Sequence, residues 1–218
     1  LIGTIAASLR SNALWVNVTV CAALDVSVRA ALGAVAFLAS EHYMQRTIST
    51  QRTRIITWDD PMAGAQAAVS MRGIDYLHAM ARGELPPPPM LQLMSMQIGD
   101  IEEGRVVFFV EPAEFHYNPI GSVHGGLACT LCDSAMGCAI HSTLPAGVGY
   151  TTLELKINFL RPLTRETGRV RCEGTVIHVG SRISTAEARL TDGNGKLYGH
   201  ATTTCIIFRP PSSTEQQR

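Results

Sequence analysis

One carboxylate and one pair of glycines are the residues whose spacing suggests chemistry. Asp133 stands in a run of small and apolar residues, Leu127 to His141, in which Gly137 is the only helix-breaking type; Gly125 and Gly126 lie just upstream. Burying an aspartate costs free energy unless something pairs with it, so its place in this run calls for a reason. Asp133 could cap a neighbouring loop, pair with an arginine such as Arg161 or Arg182, or take part in a reaction. The glycines favour the last reading. With no side chains covering them, the first N–H groups of the helix are exposed, and together with the helix dipole they favour a developing negative charge. A carboxylate and an oxyanion-type donor set on one helix suit attack on a carbonyl carbon.

The geometry adds a condition. Gly125 and Asp133 are eight residues apart, which is roughly 12 Å of helix at 1.5 Å per residue. Two groups that act on one reacting carbon must both lie about 3 Å from it. If both are catalytic, the site needs two copies of the helix, one supplying its start and the other its acid. An antiparallel pair in a two-fold dimer does this and creates two equivalent sites.

The elements that must hold these groups follow from the pattern around them. Phe115 to Gly126 reads as a turn-rich loop with Asn118, Pro119 and Gly121. The apolar run after it predicts a helix of about fifteen residues buried on every side. Upstream, residues 62–83 have helical periodicity, with Ser70 expected to cap a helix from Met71 and Gly83 to end it. That helix is expected to pack outside the core. The proline run in Leu85–Met90 predicts an extended boundary, or the start of a binding-site wall. Leu91–Ile101 and Gly104–Val110 read as a hairpin. Thr151–Phe159 alternates, with Leu153, Leu155, Ile157 and Phe159 on one face and Thr152, Glu154, Lys156 and Asn158 on the other. Gly168–Val179, Arg182–Thr191 and Lys196–Phe208 complete the strands, the last two joined by the turn Asp192–Gly195. A sheet with one apolar face must bury it, and the central helix is the one element apolar enough to take it. The expected fold class is α+β, a curved antiparallel sheet wrapped around one long helix.

Residues 1–60 read as an N-terminal extension with no assigned function. Met44 is favoured as the natural start; a secretory signal lacks its charged n-region, and a targeting peptide is the other reading. Residues 61–89 form a helix and a proline-rich linker, 90–210 the main domain, and 211–218 a disordered polar tail.

Composition excludes several function classes. Lys plus Arg and Asp plus Glu number 18 each, and no basic run occurs, so nucleic acid is disfavoured as a partner. No stretch reaches the ~20 apolar residues of a membrane span. Three of the six cysteines lie in the central helix, where free cysteine packs as a small hydrophobe. Cys129-x-x-Cys132 lacks a second pair with ligand spacing, so packing is preferred to metal or redox chemistry. A reducing cytoplasm is the expected setting.

Asn118-x-x-Gly121-x-x-His124-Gly125-Gly126, followed by Asp133, resembles the signature of hot-dog-fold acyl-CoA thioesterases of the phenylacetate-pathway (PaaI) type. Thr152-x-Glu-Leu-Lys-Ile-Asn-Phe-Leu-Arg-Pro162 and Val179-Gly-Ser-Arg182 add to the resemblance, which covers about residues 90–208. It implies the hot-dog fold and hydrolysis of an acyl-CoA without metal or redox cofactor. It also implies a homodimer that builds the site and can assemble further into a tetramer. The implied roles are these: Asp133 as nucleophile or general base, the Gly125 N–H polarising the thioester carbonyl, Asn118 and His124 holding the carbonyl or water, and Thr152 orienting water, with Thr151 the adjacent alternative. Gly126, Arg161, Gly180, Ser181 and Arg182 are implied on the CoA side. Two other functions fit the same residues: a hot-dog enoyl-CoA hydratase or dehydratase using His124 with an acid, and a non-catalytic acyl-CoA sensor. Taken singly, Asn118 is also an ordinary turn residue, and His124 a residue that bonds backbone within its loop.

Overall fold

The computed structural model describes residues 51–209. The expectations for residues 1–50 and for the 211–218 tail fall outside the described residues. All elements named below belong to the unit that begins at Ile55.

The alternating segments form six strands: β1 (Met96–Glu102), β2 (Arg105–Val110), β3 (Gly149–Phe159), β4 (Val170–Val179), β5 (Ile183–Thr191) and β6 (Leu197–Phe208). They make one antiparallel sheet in the order β1-β2-β4-β5-β6-β3. Between β2 and β3 the chain forms the long helix α4 (Gly125–Ser142), which carries β3 across to the far edge. The inner face of the sheet buries Val106, Phe108, Val170, Cys172, Ala188 and Leu190 against Leu131, Cys132, Ala135 and Met136 of α4. Helix and sheet meet backbone to backbone at Gly174, where a Cβ would lie 2.4 Å from the Ala135 carbonyl oxygen. Cys132 takes part as a core residue, fully buried with its sulfur 3.9 Å from that of Cys172. The expected hot-dog fold is the observed one.

The N-terminal helical region differs from its sequence reading. Residues 62–83 contain two helices, α1 (Pro61–Ser70) and α2 (Gly73–Ala81), broken at Met71-Arg72. Arg72, not Ser70, is the N-cap of α2, and the Ser70 hydroxyl donates to the Ala67 carbonyl within α1. Gly83, at φ +75°, follows the end of α2 as expected. Helix α2 joins the core instead of packing outside it: Leu77 and Met80 are buried, and the Gly73 N–H donates to the Leu144 carbonyl at 3.0 Å. The cause is Gly73, which has no Cβ to collide with the His141 carbonyl.

Leu91–Ser95 is not strand. Pro89 occupies the first turn of a short helix, α3 (Pro89–Met94), where its missing N–H costs nothing and its fixed φ favours the helix. Among the described residues no helix is long and apolar enough to cross a membrane.

Two tests follow from this packing. Gly174→Ala forces a methyl into the backbone of α4 and should cost at least about 2 kcal/mol in denaturant melts, as overpacked cores do. Gly193→Ala, where nothing lies within 4 Å, should stay within about 0.5 kcal/mol. The second test concerns His141, which is buried beside the rings of Tyr76 and Tyr150. Burial holds its pKa below the ordinary 6.5, so just below that pH the unfolded chain binds a proton that the native ring refuses. The stabilisation is therefore complete above the ordinary value and declines as pH falls toward the lowered one. Thermal melts between about pH 7 and about pH 5 should show a shallower loss for His141→Gln than for the parent chain.

Candidate active site

The start of α4 is organised by His124. This residue is the N-cap, and its Nδ1 accepts the Gly126 N–H at 2.8 Å. An Nδ1 that accepts carries no proton, so the neutral ring keeps its hydrogen on Nε2. Position 126 must be glycine for this cap, since a Cβ there would lie 2.8 Å from Nδ1. The cap occupies one of the two expected N–H groups. The Gly125 N–H, first in the helix, has no acceptor among the described residues. Beside it lies the Phe159 ring, whose Cζ would be 3.1 Å from a Cβ on Gly125. These groups open onto a cleft of about 340 Å³ lined by Ser122, His124, Gly125, Phe159, Arg161 and Tyr198, among others. The Arg161 guanidinium donates to the Leu197 carbonyl, which fixes it at the cleft wall.

Asn118 shapes the loop. Its side-chain oxygen accepts the N–H groups of Ile120 (3.0 Å) and Ser122 (3.4 Å), and its Nδ2 donates to the Ser122 hydroxyl (3.2 Å). It does not line the cleft. Its observed contacts are those of a turn residue that holds the approach to Gly125.

Asp133 is not buried within the single chain, contrary to the sequence expectation. Helix α4 is covered by the sheet, but Gly126, Cys129, Thr130, Asp133 and Ser134 form a stripe that the chain leaves partly or fully open. The acid forms no ion pair among the described residues, so neither Arg161 nor Arg182 neutralises it. Its partner is Thr152, whose hydroxyl donates to Asp133 Oδ1 at 2.8 Å.

A β-bulge makes that contact. The β3–β6 register is Thr152↔Cys205 and then Glu154↔Thr204, so Leu153 is the extra residue, 58% exposed. Strict alternation placed Leu153 inside and Thr152 outside. The bulge reverses both, and the half-buried positions become Tyr150, Thr152, Leu155 and Ile157. Around the acid, burial raises the pKa of Tyr150, while burial and then the charge of Asp133 push the Cys138 thiol up to about 12. Neither supplies an anionic nucleophile at neutral pH.

The single chain therefore holds two separate clusters: His124, Gly125, Phe159 and Arg161 at the helix start, and Asp133 with Thr152 two turns on. Gly180, Ser181 and Arg182 sit in the β4–β5 turn and line neither the cleft nor the acid. Strand register puts this turn near the acid, since Ser184, two residues past Arg182, pairs with Cys205, which pairs with Thr152. The sequence places Phe159 on the apolar face of its strand and gives Cys205 no place near the acid. The structure leaves Phe159 exposed beside Gly125 and pairs Cys205 with Thr152. Phe159 is legible only through its approach to Gly125, and Cys205 only through cross-strand register.

Comparison with known proteins agrees with this architecture. The profile of the Thioesterase superfamily matches residues 120–198. A Saccharolobus solfataricus protein named as an esterase is 30% identical over 120 residues, 55% of this chain and 84% of that protein. A second such protein, from Halobacterium salinarum, is 32% identical over 103 residues, and there the match spans 45% of this chain and 66% of the relative. The crystal structure of a phenylacetic acid degradation-related protein from Ralstonia eutropha superposes with a TM-score of 0.55 at 27% identity, covering 59% of this chain and 97% of that one. The fold, the loop-and-helix motif and these matches together place the chain in the thioesterase superfamily, as a hot-dog enzyme of the phenylacetate-related, PaaI-like type.

Proposed function

We propose that the protein hydrolyses an acyl-CoA thioester to a carboxylic acid and CoA at a site shared by two copies of the chain. The observation that carries this reading is Asp133 itself. It is an unneutralised carboxylate on an open helix stripe, held by one hydroxyl and set roughly 12 Å from the free N–H that would receive the oxyanion. A second copy, its helix antiparallel, supplies the Gly125 N–H to the first copy's Asp133. The surface available for that copy is the open stripe together with β3, an edge strand with Leu153 and Phe159 exposed at 58% and 57%. Unpaired edges of this length invite pairing with another chain.

Asp133 attacks the thioester carbonyl directly, or takes a proton from water that attacks it. In either case the carbonyl oxygen gains charge against the Gly125 N–H and the His124 Nε2–H. The carbon–sulfur bond breaks and the CoA thiolate leaves. In the base route it takes up the proton that water gave to Asp133. In the nucleophile route the acyl group stays on Asp133 as a mixed anhydride, which water then hydrolyses to the carboxylic acid and the free carboxylate, releasing the proton that the thiolate takes up. Thr152 holds Asp133 in place. Arg161 and the partner's β4–β5 turn, with Gly180, Ser181 and Arg182, offer cations and backbone N–H groups to the CoA phosphates; arginine suits phosphate through paired donors.

Asp133→Asn and Asp133→Ala should each lower kcat at least about a thousandfold, as loss of a nucleophile or base does, with the dimer intact by sedimentation. Parent-like turnover of a panel of aromatic and aliphatic acyl-CoAs by both variants would refute the assignment; binding without CoA release by the unmodified chain would mark a sensor instead.

Sharing of the site has its own test. Gly125→Pro deletes the N–H at a helix position that accepts proline and should be nearly inactive. Asp133→Asn and Gly125→Pro chains, unfolded and refolded together, should recover about a quarter of the parental sites, since half the dimers are mixed and each has one intact site. No recovery would place both groups in one chain's site. Label on Asp133 after a single turnover in heavy-oxygen water, with enzyme in excess, would mark it as the nucleophile, because the base route never bonds it to the acyl carbon.

A further inference from the structure

The inner face of the sheet carries a polar row where an apolar one would pack better. Ser184 on β5, Cys205 on β6 and Thr152 on β3 are cross-strand neighbours in register, and the row ends on Asp133 of α4. Ser184 and Cys205 are fully buried, and among the described residues the Ser184 hydroxyl has no hydrogen-bond partner. An unpaired buried hydroxyl destabilises a fold, so the polarity here serves something other than stability.

The count of protons shows what it serves. Thr152 has one hydroxyl proton and donates it to Asp133 Oδ1 at 2.8 Å. Its oxygen also lies 3.8 Å from the Cys205 sulfur. Thr203, the other hydroxyl beside this thiol, spends its proton on the Glu154 carbonyl at 2.7 Å. Of the protons that lie within reach of the Thr152 oxygen, the one left is that of the Cys205 thiol, since the Ser184 hydroxyl reaches no partner among the described residues. Burial raises the pKa of this thiol, so it keeps its proton at neutral pH.

We infer that Cys205 is a positioning residue: its S–H donates to the Thr152 oxygen and so holds the Thr152 proton on the catalytic carboxylate. The S–H occupies the lone pair that would otherwise let the hydroxyl rotate away, and Asp133 stays aimed at the thioester carbon. Cys205 touches neither substrate nor reacting atoms. The inference rests on the reading of Asp133 as the catalytic acid.

The test is a double-mutant cycle on the full-length chain with the best acyl-CoA of the panel. Cys205→Ala should lower kcat roughly three- to tenfold, the worth of one oriented hydrogen bond, with KM within about twofold. Cys205→Ser, which restores a donor, should recover most of that loss. Thr152→Val should cost more than Cys205→Ala, and adding Cys205→Ala to Thr152→Val should change nothing further. Cys205→Val, which keeps the core filled without a donor, replaces Cys205→Ala if that variant melts too low and carries the same expectation. Parent-like kcat in both donorless variants, or losses that multiply in the Thr152→Val background, would overturn the role of Cys205. Parent-like turnover in Asp133→Asn would instead sink the underlying reading of the acid, so the two failures are distinguishable.

Discussion

An α-helix is a rigid rod, and α4 places the two features of the proposed site too far apart on that rod to meet. The free Gly125 N–H lies in its first turn and Asp133 lies two turns later. Rotamer changes do not close a gap of roughly 12 Å, and at Gly174 the backbone of β4 packs directly on Ala135 of the helix. The same rigidity that separates the groups also fixes each of them. In the proposed dimer a second rod laid antiparallel would bring both pairs together at once, and symmetry would supply what a single chain lacks.

The open face of the molecule becomes intelligible on this basis. A monomer whose central helix leaves a stripe exposed beside an edge strand with no outer partner among the described residues would be a hazard on its own. Here the stripe carries the acid and the edge strand carries its hydroxyl partner. Covering this surface with a second chain would exclude water from the reacting carbonyl, where fixed dipoles act most strongly. On this reading, assembly and catalysis draw on one surface.

Local irregularities do the fine positioning. The bulge at Leu153 turns Thr152 inward to the acid while keeping Leu155 and Ile157 on the core. The His124 imidazole takes the second N–H of the helix and leaves the first free. Asn118 spends its side chain on the loop, so that the approach to Gly125 keeps one shape. Each of these devices is a short-range contact between residues that sit apart in the chain or adopt an irregular turn.

Local pattern determined a great deal. The alternating segments, the glycine turns and the single apolar run specify six strands and one central helix, and the loop motif points to Gly125 and Asp133. These features were legible because they depend on period and composition within one segment. Tertiary structure decided the rest. Whether Thr152 or Leu153 faces the helix depends on one extra residue in the β3–β6 register, which alternation along β3 does not encode. That α2 joins the core depends on Gly73 meeting the His141 carbonyl, 68 positions away in the chain. The exposure of Asp133 followed the same rule, because an apolar composition shows that a helix is covered but not which side of it the sheet leaves open.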